Sequence, residues 1–319
     1  MKNINQKKLF SFLVATLFLA SIVMGAQASV SPTVPSGFKA IKLASGLTKP
    51  GDGVKGITSA LFLSGDGPFG HDLYVAKSDS GQIYRVNRAG AGATAFATVG
   101  DFPVGVAFSP FDSFGNYLYV GRAMVGEWGV VRVDPMGNVE NFADVAGTSG
   151  LAFPPGDTAY GEYLYAATYY SSGKIYRIDS TGTATEFKDS IPGQSRYIKF
   201  SHGDAFGIYL FVTEINGGKI YKVYPDASYE LFADTGMGWG IEGLDFSLGG
   251  AWGHYMWVGV AFGDNAGKIL RIDPSGNVVE WASGFGHVAD IHFQPGGKGG
   301  FTMYIVTAGT GEVWAISKA

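Results

Sequence analysis

The string FGNYLYV at residues 114–120 returns as YGEYLYA at 160–166, FGIYLFV at 206–212 and WGHYMWV at 252–258. FGHDLYV at 69–75 precedes it, and the looser GFTMYIV at 300–306 ends the series. The aligned glycines are Gly70, Gly115, Gly161, Gly207, Gly253 and Gly300, spaced 45, 46, 46, 46 and 47 residues apart. A fixed period of this length marks a repeat architecture in which each unit is one supersecondary element.

Three more motifs share the period. Before each glycine stands an apolar run ending in Phe: GVAFSP at 105–110, GLAFPP at 150–155, YIKFSH at 197–202, GLDFSL at 243–248 and DIHFQP at 290–295, with SALFLS at 59–64 in the first unit. After it comes a Gly-led run such as GQIYRV at 81–86, GKIYRID at 173–179 and GKILRID at 267–273. Last come ATAFAT at 93–98, NVENFA at 138–143, TATEFK at 183–188, SYELFA at 228–233 and NVVEWA at 277–282. Each unit thus holds four short runs rich in Val, Ile, Tyr, Phe and Leu. Turn chemistry separates them, as in DPMGN at 134–138 and DPSGN at 273–277, where Gly supplies the positive φ of a tight hairpin.

Four strands per repeat match one propeller blade. The sequence therefore predicts an all-β fold, a six-bladed β-propeller of four-stranded blades. The sixth unit runs out after its third strand. The segment FKAIKLASG at 38–46 resembles VVEWASG at 278–284. An N-terminal outer strand is thus expected to complete the last blade and close the ring, leaving no unpaired edge.

Composition agrees. Gly accounts for 49 of 319 residues, about twice its usual share, as a fold with several tight turns per blade requires. Hydrophobic residues make up 46% and aromatics 14%, which excludes a disordered chain. The absence of Cys excludes a disulfide scaffold and a thiol nucleophile.

The N-terminus reads as a leader. Lys2, Lys7 and Lys8 precede an apolar run from Leu9 to Gly25 and an Ala26-Gln27-Ala28 site, the order of a secretory signal peptide. Residues 1–28 are expected to be removed, leaving residues 29–319 as a single propeller domain, periplasmic or extracellular. No transmembrane span is expected elsewhere. The chain beyond the leader holds 23 − 3 = 20 basic and 27 acidic residues, a net charge of −7, which repels phosphate backbones and excludes nucleic acid as a partner. A closed ring needs no second copy, so a monomer is expected.

In a propeller the first strand of each blade lines the central channel, and loops entering first strands and leaving second strands build one mouth. Four residues before each first-strand Phe lie Thr58, Val104, Ser149, Arg196, Glu242 and Ala289, followed by Ser59, Gly105, Gly150, Tyr197, Gly243 and Asp290. Just past the second strands lie Lys77, Arg122, Thr168, Glu214, Val260 and Ala308. Lys77, Arg122, Thr168, Arg196, Tyr197 and Tyr169 are candidate ligand-binding residues. Glu214, Glu242 and Asp290 are candidate metal ligands, because converging carboxylates suit a hard divalent cation such as Ca²⁺. Glu242 and His287 are candidate catalytic groups. The same charges would equally serve as ion pairs tying neighbouring blades. Tyr170, Trp128 and Trp239 fall near the same mouth, where aromatic faces stack on sugar rings or pack between blades. Asp66, Asp112, Asp157 and Asp204 recur in the Gly-rich loops between first and second strands and read as turn caps. No G-x-S-x-G, G-x-x-x-x-G-K-[ST] or H-E-x-x-H motif occurs.

The blade strings resemble NHL-repeat and gluconolactonase-like six-bladed propellers over nearly all of the chain beyond the leader. The gluconolactonase-like resemblance implies a metal-binding Glu at the start of the first blade. Here Thr58 and Ser59 stand in that place, and the Glu at that repeat position is Glu242 of the fifth unit. A streptogramin-lyase-like pattern implies a His-x-Glu-x-His cluster, to which His287, Asp290 and His292 are the nearest approach. Three readings follow. The first is an exported recognition propeller binding a small molecule, glycan or envelope partner at one mouth of the channel. The alternative is a metal-dependent lactonase, hydrolase or lyase of the gluconolactonase-like kind. The third is a quinoprotein-like sugar dehydrogenase.

Overall fold

The computed structural model describes residues 31–47, 57–62, 68–100, 102–124, 128–169, 173–295 and 300–319. The leader 1–28, Asp66, Tyr170 and the side chains of Thr58 and Ser59 lie outside the described residues.

The strands follow the repeat. They run β1 (Phe38–Ala44), β2 (Ile57–Phe62), β3 (Leu73–Lys77), β4 (Gln82–Val86), β5 (Ala93–Thr98), β6 (Pro103–Phe108), β7 (Leu118–Arg122) and β8 (Val130–Val133). Next come β9 (Val139–Ala143), β10 (Thr148–Ala152), β11 (Leu164–Thr168), β12 (Ile175–Ile178), β13 (Ala184–Lys188), β14 (Ser195–Phe200), β15 (Leu210–Glu214) and β16 (Lys219–Val223). The last are β17 (Tyr229–Asp234), β18 (Ile241–Phe246), β19 (Met256–Val260), β20 (Ile269–Ile272), β21 (Val278–Ala282), β22 (His287–Pro295), β23 (Phe301–Ala308) and β24 (Glu312–Lys318). Five sheets are antiparallel meanders of four consecutive strands, and the sixth has the order β1-β24-β23-β22. The ring is therefore a six-bladed propeller. The chain's first strand closes it, with Phe38 opposite Lys318 and Lys42 opposite Trp314.

The repeated aromatics explain why blades stack. In blade 3, Tyr165 on β11 is fully buried. Its hydroxyl donates to the Tyr160 carbonyl at 2.8 Å, satisfying the polar tip inside the core. Both rings meet Phe200 of blade 4 edge-on, at 4.8 and 5.3 Å between centroids. The same seam recurs as Phe69 and Tyr74 on Phe108, Phe114 and Tyr119 on Phe153, Phe206 and Phe211 on Phe246, and Trp252 and Trp257 on Phe293. Tyr74 and Tyr119 repeat the hydroxyl bond to the turn carbonyl, and Trp257 instead donates its indole N–H to Ser247. The first-strand Phe is thus a rivet between one blade and the next.

Turn chemistry matches as well. Asp134 and Asp273 each accept backbone N–H groups from within their hairpins, while Gly137 and Gly276 carry φ of 87° and 84°.

Candidate functional site at the channel mouth

Every first strand is interrupted at the same level. Pairing with the second strand shifts between Ile57 and Ser59, Pro103 and Val106, Thr148 and Leu151, Ser195 and Tyr197, Ile241 and Leu244, and Val288 and Asp290. A bulge lifts a residue out of the ladder and re-aims its side chain. The residues so lifted include Ser149, Arg196 and Glu242. They stand at the mouth fed by the loops that enter first strands and leave second strands.

In blades 4 and 5 this gives a charged pit. Arg196 Nη1 lies 3.1 Å from Glu242 Oε1, and both side chains are almost wholly buried. The contact is not aligned as a hydrogen bond, and Glu242 Oε1 is buried without a hydrogen-bond partner. Burial raises the Glu242 carboxyl to about 7. Arg196 opposes that rise and Asp290 adds to it. Asp290 arrives from blade 6, where a side chain on Gly243 would collide with it: a Cβ there would sit 2.1 Å from Asp290 Oδ1. Glycine at 243 is what lets the two inner strands bring these carboxyl groups together. His287 opens β22 with its Nδ1 buried and unpartnered, and burial lowers its pKa. It is therefore neutral at neutral pH.

Aromatic rings frame the pit. The Arg196 guanidinium lies 5.3 Å from the Tyr169 ring and 5.8 Å from Phe262. Phe262 stacks on Trp239 at 4.9 Å and reaches His287 at 6.3 Å. Tyr197 is not an open ligand contact. It crosses from blade 4 to pack with Val104, Ala123 and Phe102 of blade 2. Blade 3 lies between, and its Gly150 permits the crossing, since a Cβ there would sit 3.0 Å from Tyr197 Cα. Burial, and then the Glu242 charge, push the Tyr197 phenol well above its ordinary pKa.

The other residues singled out from sequence do other work. Lys77 pairs with Asp79. Arg122 donates to the carbonyls of Val99 and Trp128. The Thr168 hydroxyl donates to the Lys174 carbonyl at 3.3 Å. Glu214 turns back to accept the N–H groups of Asn216 and Gly217, each at 2.7 Å, and so caps its own turn. The carboxylate trio therefore reduces to the pair Glu242 and Asp290. Among the described residues no three His, Cys, Asp or Glu side chains are placed to hold a metal ion. His254 pairs with Asp204 at 2.7 Å at the opposite end of the channel.

Phe262 was not picked out from sequence, although a signal existed. It stands two residues past the end of its second strand, as Tyr170 does in blade 3.

No protein-family model and no curated protein sequence matches the chain. Solved structures share its fold. A gluconolactonase from Xanthomonas campestris superposes with a TM-score of 0.65 at 12% identity, over 94% of this chain and 94% of that one. A catalytically inactive virginiamycin B lyase from Staphylococcus aureus, solved with quinupristin, gives 0.56 at 12% identity over 88% and 99%. A PQQ-bound aldose sugar dehydrogenase from Streptomyces coelicolor gives 0.60 at 15% identity over 89% and 99%. The chain thus has the gluconolactonase-like six-bladed propeller fold. That fold carries a lactonase, a lyase and a dehydrogenase among its neighbours, so function has to be argued from the site.

Proposed function

We propose that the chain is an exported recognition propeller that binds a small polar molecule, free or as part of a glycan or envelope component, in the mouth over blades 3 to 6. The carrying observation is that Glu242 Oε1, which faces Arg196 only as an ion pair, and His287 Nδ1 are buried there without a hydrogen-bond partner. Buried polar groups are normally hydrogen-bonded, and an orphan in a well-packed core calls for an explanation. A ligand offering hydroxyl or carbonyl groups would satisfy both. A carboxyl whose pKa burial raises to about 7 can donate a hydrogen bond near neutral pH, and neutral His287 offers one donor and one acceptor. The basic, apolar and small-residue order of the leader supports export. The test is a thermal-shift screen at pH 7 with monosaccharides, amino acids and small alcohols, followed by calorimetry on the hits. Glu242→Gln together with His287→Ala is expected to weaken a true hit at least tenfold. A hit that binds the double variant as tightly as the parent rejects the site.

One observation favours a second reading. A carboxyl titrating near neutrality suits a proton-transfer catalyst, and a hydrolase or lyase would use Glu242 in that role. Turnover of a lactone by the parent, lost in Glu242→Gln while binding persists, would select this reading over pure recognition.

A further inference from the structure

The chain has six Trp residues, and Trp128 is the one left exposed, at 43%. It stands in the loop after β7, on the same mouth as Arg196. Among the described residues, the other exposed large apolar side chains sit on outer strands (Ile41, Val139, Tyr229, Leu231, Val279) or at turns of the opposite end (Met136, Ile208, Leu248). Among the described residues, Trp128 is therefore the one exposed large apolar side chain on this face.

Its backbone is also unusual. Trp128 has φ of 52°, a left-handed conformation that is disfavoured for a bulky residue. Charged groups hold it there. The Trp128 N–H donates to Asp144 Oδ1 at 2.8 Å. Its carbonyl accepts Arg122 Nε at 3.2 Å and Arg122 Nη2 as well. Arg122 is itself anchored through Nη1 on the Val99 carbonyl at 3.2 Å. A strained conformation persists where its surroundings over-determine it, and such residues cluster at ligand clamps. Here the strain fixes the backbone of a residue whose side chain is exposed, and the exposed Asp144 carboxylate holds its backbone N–H.

We infer that Trp128 is a preset stacking platform for a sugar ring and that the ligand of this mouth is an oligosaccharide reaching from the pit to blade 2. The inference rests on the mouth being a ligand site. A flat exposed ring on a residue whose backbone is held by an exposed carboxylate suits a pyranose, whose C–H face stacks on the ring while its hydroxyls face polar groups of the same loop. A protein partner needs roughly 800 Å² per side, and one exposed Trp is too little apolar surface for that. The two ends of the proposed site are joined in the fold, because Tyr197 beside the pit packs on Ala123 at the base of the Trp128 loop.

The test is calorimetry with maltohexaose, cellohexaose and N-acetylchitohexaose, against glucose and N-acetylglucosamine. One hexasaccharide is expected to bind the parent at least tenfold more tightly than its monosaccharide. Trp128→Asn, which tolerates the left-handed backbone, is expected to abolish that gain. Trp128→Tyr should keep most of the gain. The platform is overturned if the Asn variant retains the gain or if no hexasaccharide outbinds its monosaccharide. Glu242→Gln separates the two proposals: it should weaken monosaccharide and hexasaccharide alike, and monosaccharide binding insensitive to it would reject the pit while leaving the Trp128 result readable.

Discussion

The seams between blades and the mouth of the channel use the repeat in opposite ways. Among the described residues, five seams are built from the same three places: a turn aromatic, a second-strand aromatic and the Phe of the next first strand. The mouth uses one repeat position to place Val104, Ser149, Arg196, Glu242 and Ala289 in successive blades. The bulge that lifts those side chains is common to all six sheets. The scaffold of the mouth is therefore shared and only its chemistry differs. A position that repeats its residue serves the ring, and a position that repeats its geometry but changes its residue is free to serve a ligand.

That contrast can be broken most severely at the closure. Deleting β1 removes the strand paired with β24, and the cooperative thermal transition seen by circular dichroism is expected to vanish. A deletion variant that melts like the parent would refute closure by this strand. Next come the rivets. Phe200→Ala and Phe246→Ala each empty a buried seam, so urea unfolding should show each losing about 3–5 kcal/mol. Tyr169→Ala at the mouth should lose about 1 kcal/mol or less, as partly exposed positions do, while weakening ligand binding. Equal losses at seam and mouth would erase the distinction.

Most of the ring was legible in sequence because blade residues repeat in kind. The outer strand expected from FKAIKLASG is β1 itself, and the runs around Val139 and Val278 became β9 and β21. The mouth was legible only as a set of positions. Arg196 and Glu242 do face each other, but nothing in the sequence says that a bulge aims them. Glu214 was read as a converging carboxylate because it ends a second strand. The turn that follows presents two N–H groups close by, and the carboxylate accepts both of them instead. Tyr197 was read as a contact residue. Its reach to blade 2 depends on closing the ring and on Gly150, a three-dimensional fact with no local signature.

The most direct test of the central claim concerns whether Glu242 is held at the fold's expense. Its pKa rises from 4.5 unfolded to about 7 folded, so between those values the native state keeps a proton that the unfolded chain releases. Stability must then fall as pH rises through that window, by about 3 kcal/mol in all at 1.36 kcal/mol per unit. Glu242→Gln resembles the protonated form and lacks this loss. Urea unfolding of parent and variant at pH 5 and pH 8 measures most of it, because groups that do not interact with Glu242 contribute equally to both proteins. The account predicts that the parent loses about 2.5 kcal/mol more than the variant over that interval and that the variant is at least as stable as the parent at pH 8. Parallel losses, with the variant less stable than the parent at pH 8, would mean that Arg196 and Glu242 are a structural tie and that the mouth is not built for a ligand.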